Sequence, residues 1–128
     1  MVKLTEEMKE MIKTQLGYVA TVRADGVPNI GPKRSARIFD DSTLIFNENT
    51  GKEIYKNLKE GSKIAIAFVD WANLLGYRFV GTAEVHESGK IFDDSVEWAK
   101  GKVPKAAVLI KIEEIYDLKI GNAGVRLA

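Results

Sequence analysis

Residues 18 to 47, YVATVRADGVPNIGPKRSARIFDDSTLIFN, decide the fold, because β-forming runs and turn residues alternate along them. The first run, residues 18–24, is rich in β-branched and aromatic residues and is predicted to be a strand. The pair Asp25-Gly26 follows it, and this dipeptide is a strong hairpin signal. The stretch therefore predicts antiparallel pairing from its first turn.

The second half of this stretch predicts three more strands. The first of them is expected to be short, because Pro28 and Pro32 cannot donate hydrogen bonds to a ladder. Another strand is predicted at about residues 34–39. The turn at residues 40–42, DDS, leads it into the run TLIFN at residues 43–47. Four antiparallel strands are thus expected in this part of the chain.

The rest of the chain continues the same pattern with short helices added. Residues 5–16 are predicted to form an amphipathic helix with Thr5 as its N-cap. Further helices are predicted at 51–60 and 91–100, and further strands at 62–70, 75–87 and from 105 towards 120. A sheet of this size tends to close or curl. The sequence predicts a mainly β fold: a small antiparallel β-barrel of six or so strands with peripheral helices, in one domain spanning residues 1–128.

The composition excludes several kinds of chemistry. The 128 residues include no cysteine and one histidine, which excludes disulfides, thiolate chemistry and a histidine-based metal cluster, so no metal site is expected. The net charge of +1 provides no bulk field for nucleic acid or an anionic membrane. The N-terminus is too polar for a signal peptide, which makes a cytoplasmic protein the expectation. Redox chemistry would have to come from an organic cofactor.

Hydrogen-bond donors gather at one strand mouth. If residues 34–39 are extended, Lys33, Ser35 and Arg37 share one face, since side chains alternate along a strand. The predicted helix start at residues 50–52 would add backbone N–H groups nearby. Together these features would bind a phosphate, each charge-assisted hydrogen bond contributing roughly 1.5–3 kcal/mol.

Other interpretations of these residues stay open. The cations Lys33, Arg34 and Arg37 would equally protect an edge strand from aggregation, and the residue pattern alone favours that interpretation. Thr50 would serve simply as a helix N-cap. Glu48 and Glu53 oppose an anion site, because both lie close to it and would repel an anion. A small barrel that binds single-stranded nucleic acid through the same cations is a further alternative, against which the low net charge speaks.

The order and spacing of five segments resemble the pyridoxamine 5′-phosphate oxidase-like superfamily, and within it the small FMN-binding split-barrel proteins. The resemblance covers about residues 10–118. Its segments are GYVATVRADGVPNIGPK, RIFDDSTLIFNENTGKEIYKNL, KIAIAFVD, GYRFVGTAEV and PKAAVLIKIEEIYDL. Asn57 and Leu58 resemble the pair that anchors the helix after the fourth strand in that family.

This resemblance implies FMN as the cofactor and a set of residues that hold it. Residues along the flavin ring and ribityl chain would be Gly31, Pro32, Lys33, Arg34 and Ser35. Asn47 and Glu48 would touch the cofactor from the neighbouring strand, and Thr50, Gly51 and Lys52 would cradle its phosphate. At Glu53 and Ile54 the chain departs from the basic residue that many relatives carry.

The resemblance also implies a function and a partner. It implies a flavin-dependent oxidoreductase with an unidentified small-molecule electron donor or acceptor, or else a non-enzymatic flavin carrier. Oxidation of pyridoxamine phosphate itself ranks lower, since the oxidase's additional C-terminal substrate-binding portion is not recognised in the chain. The family is typically a homodimer with flavins at the interface, and no nucleic acid or membrane partner is expected.

Overall fold

The computed structural model of the protein describes residues 2–128 and contains seven strands and three helices. The helices are α1 (Glu6–Thr14), α2 (Glu53–Lys59) and α3 (Lys90–Trp98). The strands are β1 (Gly17–Val22), β2 (Pro28–Lys33), β3 (Arg37–Asp40), β4 (Thr43–Glu48), β5 (Lys63–Asp70), β6 (Leu75–His86) and β7 (Ala106–Asp117). The predicted mainly β fold with peripheral helices is confirmed, with seven strands in place of six or so.

All seven strands belong to one antiparallel sheet, in the order β2-β1-β5-β6-β7-β4-β3. The sheet curls until its edge strand β2 approaches β4, which is not its hydrogen-bonded neighbour. The side chains of Lys33 and Glu48 join the two strands there. We call this line of approach the seam; the barrel is closed along it by side chains instead of a backbone ladder.

A β-bulge bends the longest pair of strands, β6 and β7. The register shifts between Val80, which lies opposite Glu114, and Gly81, which lies opposite Ile112. A Cβ atom on Gly81 would stand 1.8 Å from the backbone oxygen of Lys111. Only glycine fits there, and the bulge increases the local twist that lets the sheet curl.

Alternating apolar residues fill the inside of the barrel. Leu44 and Phe46 point inwards from β4, and Phe68 and Phe79 meet edge to face with ring centroids 6.1 Å apart. Each such buried side chain contributes roughly 1.5–3 kcal/mol. The interior is therefore a packed core, which leaves the seam and the outer surfaces for ligands.

The helices close the barrel and show which local predictions hold. The Thr5 hydroxyl accepts a hydrogen bond from the Met8 amide at 3.2 Å, so its predicted N-cap role is confirmed. Asn57 anchors α2 to the sheet, because its side-chain amide donates to Thr21 of β1 at 3.0 Å. Gly17 begins β1, and a Cβ there would lie 2.8 Å from the Phe68 ring. None of the helices formed by residues 2–128 has the length and hydrophobicity that a membrane span requires.

The predicted strand at residues 34–39 is wrong in its first half. Residues 34–36 form a turn between β2 and β3, in which the Ala36 amide donates to the Lys33 carbonyl at 3.1 Å. The cause is tertiary: the Ser35 hydroxyl accepts a hydrogen bond from the Asn47 amide at 2.8 Å and donates to the Asn47 carbonyl at 3.2 Å. The side chain of Ser35 thus takes the place that a strand backbone would have had beside β4.

Candidate functional site

A cleft of about 460 Å³ opens at the seam, between the turn at residues 34–36, the end of β4 and the C-terminal end of α3. We call it the seam cleft. Its lining residues are Pro32, Lys33, Arg34, Ser35, Asn47, Asn49, Thr50, Trp98, Ala99 and Lys102. Six of the ten residues predicted to hold a cofactor are among them. The other four, Gly31, Glu48, Gly51 and Lys52, are not.

Lys33 does not belong to an outward ladder of donors. It ends β2 with its side chain 9% exposed, and its Nζ lies 2.5 Å from Oε1 of Glu48, which is fully buried. The predicted shared face of Lys33, Ser35 and Arg37 is wrong, because the turn at 34–36 breaks the alternation. The cation of Lys33 is instead neutralised inside the protein by a carboxylate from β4.

Glu48 holds the turn that follows β4. Its Oε2 accepts hydrogen bonds from the Thr50 amide at 3.0 Å, the Thr50 hydroxyl at 3.0 Å and the Gly51 amide at 2.8 Å. Burial on its own would raise the pKa of Glu48, but the bonds from Lys33, Gly51 and Thr50 together outweigh it and hold this pKa below its usual value. Glu48 is therefore ionised at neutral pH.

In the segment predicted as a phosphate cradle, the hydrogen-bond donors of Thr50 and Gly51 are thus already bonded to Glu48. Helix α2 begins at Glu53, and Lys52 occupies its N-cap position without a side-chain cap. Thr50 is not that N-cap. Its hydroxyl donates a hydrogen bond to Glu48 and accepts a longer one, of 3.4 Å, from the Lys52 amide. Gly51 has φ +65°, a left-handed conformation that favours glycine. The turn is built around the Glu48 carboxylate.

One wall of the seam cleft comes from α3. The sequence predicted this helix but gave no sign that it would lie beside the cleft. The Arg37 guanidinium stacks on the Trp98 ring, 3.7 Å from its centroid. Arg37 also donates to the Ser35 carbonyl at 2.8 Å and to Asn47 Oδ1 at 3.2 Å. The Asn47 amide donates to the Ser95 carbonyl of α3 at 3.1 Å. These bonds fix α3 against the end of β4.

Arg37 carries a positive charge close to the cleft. Burial lowers its pKa to about 10, which still leaves it protonated at neutral pH. Within residues 2–128 it forms no ion pair, and its hydrogen bonds go to neutral oxygens. The stacking on Trp98 is a cation–π contact of the kind that stabilises a partly desolvated guanidinium. The cleft therefore has an uncompensated cation behind its aromatic wall.

Two further cations lie at the rim of the seam cleft. Arg34 and Lys102 are exposed, and in the described part of the chain their side chains have no hydrogen-bond or ion-pair partner. Lys102 follows α3 and carries no functional signal in the sequence. These two side chains, together with the partly buried charge of Arg37 nearby, make the cleft suitable for an anionic ligand.

Other clefts of comparable size have different chemistry. One of about 460 Å³ between α1 and the β5–β6 turn is lined by Glu7, Glu10, Asp70 and Asp117. Another, of about 670 Å³, has acidic and basic residues in equal number. Size does not distinguish the three, but an anionic ligand would be repelled by the acidic cleft. The seam cleft is the better candidate on charge.

Comparisons with known proteins agree with the sequence resemblance. The family model described as pyridoxamine 5′-phosphate oxidase matches residues 4–119. The structure of HupZ from Group A Streptococcus is 50% identical, with a TM-score of 0.87 over 94% of this chain and 98% of that chain. A putative pyridoxamine 5′-phosphate oxidase of Lactobacillus delbrueckii is 42% identical, with a TM-score of 0.82 over 89% of this chain and 93% of that one.

A more distant curated relative covers the chain almost completely. An uncharacterized protein of Methanocaldococcus jannaschii is 34% identical over 134 residues, which include 99% of this chain and 89% of the relative. An FMN-binding protein of Syntrophomonas wolfei is 21% identical with a TM-score of 0.73, a likeness of fold. From the family match, the close relatives and the shared barrel it follows that this chain belongs to the pyridoxamine 5′-phosphate oxidase family.

Proposed function

We propose that the protein binds FMN in the seam cleft and acts as a flavin-dependent redox protein. The observation that carries the proposal is that Trp98 lies in one cleft with the rim cations Arg34 and Lys102, while Arg37 stacks on its ring from outside the cleft lining. A volume of about 460 Å³ falls in the range of small-molecule sites, roughly 300–1,000 Å³. The putative oxidase among the relatives supports a flavin as the ligand class.

The residues of the cleft fit a flat ring with an anionic tail. Trp98 is half exposed and Pro32 exposed, so each offers an apolar surface to a ring. Arg34 and Lys102 have free donors for a phosphate, whereas Lys33 is engaged by Glu48. FMN, when bound, supplies hydride and one-electron transfer through its ring. The chain's own contribution is to orient the ring and to hold positive charge near it.

Arg37 would favour the reduced, anionic form of such a ring. Its guanidinium lies behind Trp98, has no carboxylate partner among residues 2–128, and is held by the Ser35 carbonyl and the Asn47 amide oxygen. A cation that is already held in place stabilises negative charge that develops beside it, because the protein does not have to rearrange first. Arg34 at the rim would act in the same direction with weaker effect, because it is exposed to solvent.

Fluorescence of Trp98 tests this proposal directly. The chain has two tryptophans, and Trp71 is 82% exposed, so Trp71→Phe leaves Trp98 as the reporter. FMN should quench Trp98 saturably. The substitutions Arg34→Gln and Lys102→Gln should each lower the affinity for FMN by about three- to tenfold. The affinity for riboflavin should not change, since only FMN carries the phosphate. A non-saturable response to both flavins would exclude the seam cleft as a flavin site.

Lys119 provides a matched control for these substitutions. It lines the acidic cleft near α1, so Lys119→Gln removes one positive charge without touching the seam cleft. The affinity of the Lys119→Gln variant for FMN should equal that of the unsubstituted protein. An equal loss of affinity in all three variants would mean that bulk charge, not the cleft, governs binding.

A flavin carrier is the alternative to an enzyme. The residues that line the seam cleft include no histidine and no carboxylate, and Ser35 and Asn47 are hydrogen-bonded to each other, so the lining presents no acid or base dedicated to a substrate. Stopped-flow reduction of the FMN-loaded protein by NADH or NADPH distinguishes the two. Rapid reduction supports an oxidoreductase, and slow reduction with reversible one-electron behaviour supports a carrier.

We also propose that the protein is a homodimer. The solvent side of β2, β1 and β5 is apolar and uncovered, with Tyr18, Val22 and Ile30 at 45%, 49% and 69% exposure. Contiguous exposed apolar surface of this kind is typical of interfaces. The apolar run of β7 needs no partner chain, because α3 covers Ala107 and Leu109 with Ile91.

Light scattering after size exclusion measures this oligomeric state. The substitution Ile30→Lys should convert dimer to monomer, because it places a charge on the apolar surface at its most exposed large side chain. Ile120→Lys is the matched control, since Ile120 is 67% exposed but lies in the segment after β7. A monomeric unsubstituted protein, or equal dissociation by both substitutions, would refute the proposed interface.

A further inference from the structure

The turn after β4 has the donors of an anion site and already contains an anion. Four donors converge on the Glu48 carboxylate: the Lys33 ammonium, the Thr50 amide, the Thr50 hydroxyl and the Gly51 amide, at 2.5 to 3.0 Å. The carboxylate is fully buried and Lys33 is 9% exposed. Three of these four donors reach one oxygen, as they would around a phosphate oxygen.

We propose that Glu48 is a specificity-determining residue that occupies this turn as a resident anion and keeps phosphate groups out of it. A phosphate at Thr50 and Gly51 would need the donors that Glu48 holds. Displacing Glu48 would leave a buried carboxylate without partners, which is strongly unfavourable. If a phosphate entered the turn beside Glu48, its negative charge would lie within contact distance of the Glu48 carboxylate, and the two would repel each other.

The backbone at Glu48 is held in place by β7 and by the residue before it. The Glu48 carbonyl accepts a hydrogen bond from the Lys105 amide at 2.7 Å, and the residue pairs with Ala106 of β7 in the sheet. The aliphatic part of the Lys105 side chain also covers Gly51. The backbone position of Glu48 is thus set by the sheet, and its four hydrogen bonds hold the carboxylate among its donors.

This has a consequence for ligand choice that rests on the proposed function. With the turn closed to phosphate, the tail of FMN meets only the rim cations Arg34 and Lys102, which are exposed. The preference for FMN over riboflavin should then be modest in this protein. It should rise by about tenfold or more when Glu48 is replaced by an uncharged residue that frees the turn.

Inorganic phosphate tests the inference without any flavin. In Glu48→Ala the four donors surround a space without a carboxylate, so phosphate should bind there at least about tenfold more tightly than to the unsubstituted protein. Amide resonances of Thr50 and Gly51 should shift saturably with phosphate in this variant, measured against chloride at equal ionic strength. The thermal midpoint of the variant should rise with phosphate, since a ligand of the folded state stabilises it.

Two more variants make the result decisive. Glu53→Ala removes an exposed carboxylate beside the same turn and should behave as the unsubstituted protein does. If Glu48→Ala does not fold, Glu48→Ser is a second short, uncharged replacement that empties the same space and should show the same gain in phosphate shifts. Saturable shifts of Thr50 and Gly51 in the unsubstituted protein, no gain in either Glu48 variant, or an equal gain in Glu53→Ala would overturn the inference.

Flavin titration separates this inference from the proposed function. If FMN fails to bind while phosphate binds to Glu48→Ala alone, the proposed cofactor is wrong and the role of Glu48 stands. If FMN binds to the unsubstituted protein and shifts the Thr50 and Gly51 amides as phosphate would, the cofactor stands and the role of Glu48 is wrong.

Discussion

The replacement of Glu48 by alanine should be among the most destabilising single changes in this protein. It removes the partner of a buried ammonium and leaves the Thr50 and Gly51 donors without an acceptor. Breaking a buried pair by deleting one member costs about 3–5 kcal/mol. A domain of this kind has a total stability of about 5–15 kcal/mol, so the loss is a large fraction of it.

Lys33→Met should cost less, and this asymmetry follows from the geometry. Without Lys33, the Glu48 carboxylate still accepts three hydrogen bonds from the turn, and methionine fills the volume of the lysine stem. We expect a loss of about 1–3 kcal/mol for this change. The double variant Lys33→Met/Glu48→Ala should be more stable than the sum of the two losses predicts, because neither charge is then left alone.

Urea denaturation followed by circular dichroism measures these differences. With a urea m-value of about 2 kcal/mol per molar, the Glu48→Ala midpoint should fall by about 2 M. Asp94→Ala is the control, because its ion pair with Lys90 is exposed and its loss should leave the midpoint unchanged. A Glu48→Ala midpoint that also stays within error, or losses that simply add in the double variant, would refute the role assigned to this buried pair.

Two more predictions follow from the same structure. Because the pKa of Glu48 is held below its ordinary value of 4.5, its stabilising effect is present above that pH and is lost as the pH falls through the folded-state value. The stability gap between the unsubstituted protein and Glu48→Gln, read from urea midpoints, should therefore shrink from pH 6 towards pH 3, and an unchanged gap would contradict the assignment. Gly81→Ala should cost about 3 kcal/mol or more in a thermal melt, because its Cβ would collide with the Lys111 backbone oxygen. Gly31→Ala is the control and should be tolerated, because a Cβ at Gly31 would lie 3.5 Å from the Cδ1 atom of Ile54, an ordinary contact. Equal losses of stability at the two glycines would show that the bulge does not need glycine.

Local signals predicted the elements of the fold well. The turn at Asp25-Gly26 is a tight hairpin with Gly26 at φ +90°, and Thr5 caps α1 as its position suggests. Such features depend on a residue and its immediate neighbours, so the sequence carries them directly. The β-forming runs at residues 43–47 and 62–70 likewise predicted β4 and β5; β5 buries alternate residues, whereas every residue of β4 is buried.

The candidate site could be predicted only in part. The sequence resemblance brought Lys33, Ser35 and Thr50 to one place, and the seam cleft contains all three. It did not indicate Trp98 or Lys102, because α3 reaches the cleft through contacts between residues far apart in the chain. Arg37 and Ser95, for example, are 58 positions apart. No periodicity in the sequence reports a contact of that kind.

The sequence by itself determined that this chain forms a curled antiparallel sheet with short helices, because propensity, alternation and turn chemistry act over a few residues. Only the tertiary structure decided that Ser35 turns the chain instead of extending it, and that Glu48 is the partner of Lys33 and not a repulsive neighbour of an anion. Both outcomes depend on how closely β2 approaches β4 at the seam. The curl of the whole sheet sets that distance, and a buried charge is tolerated there because four donors meet it.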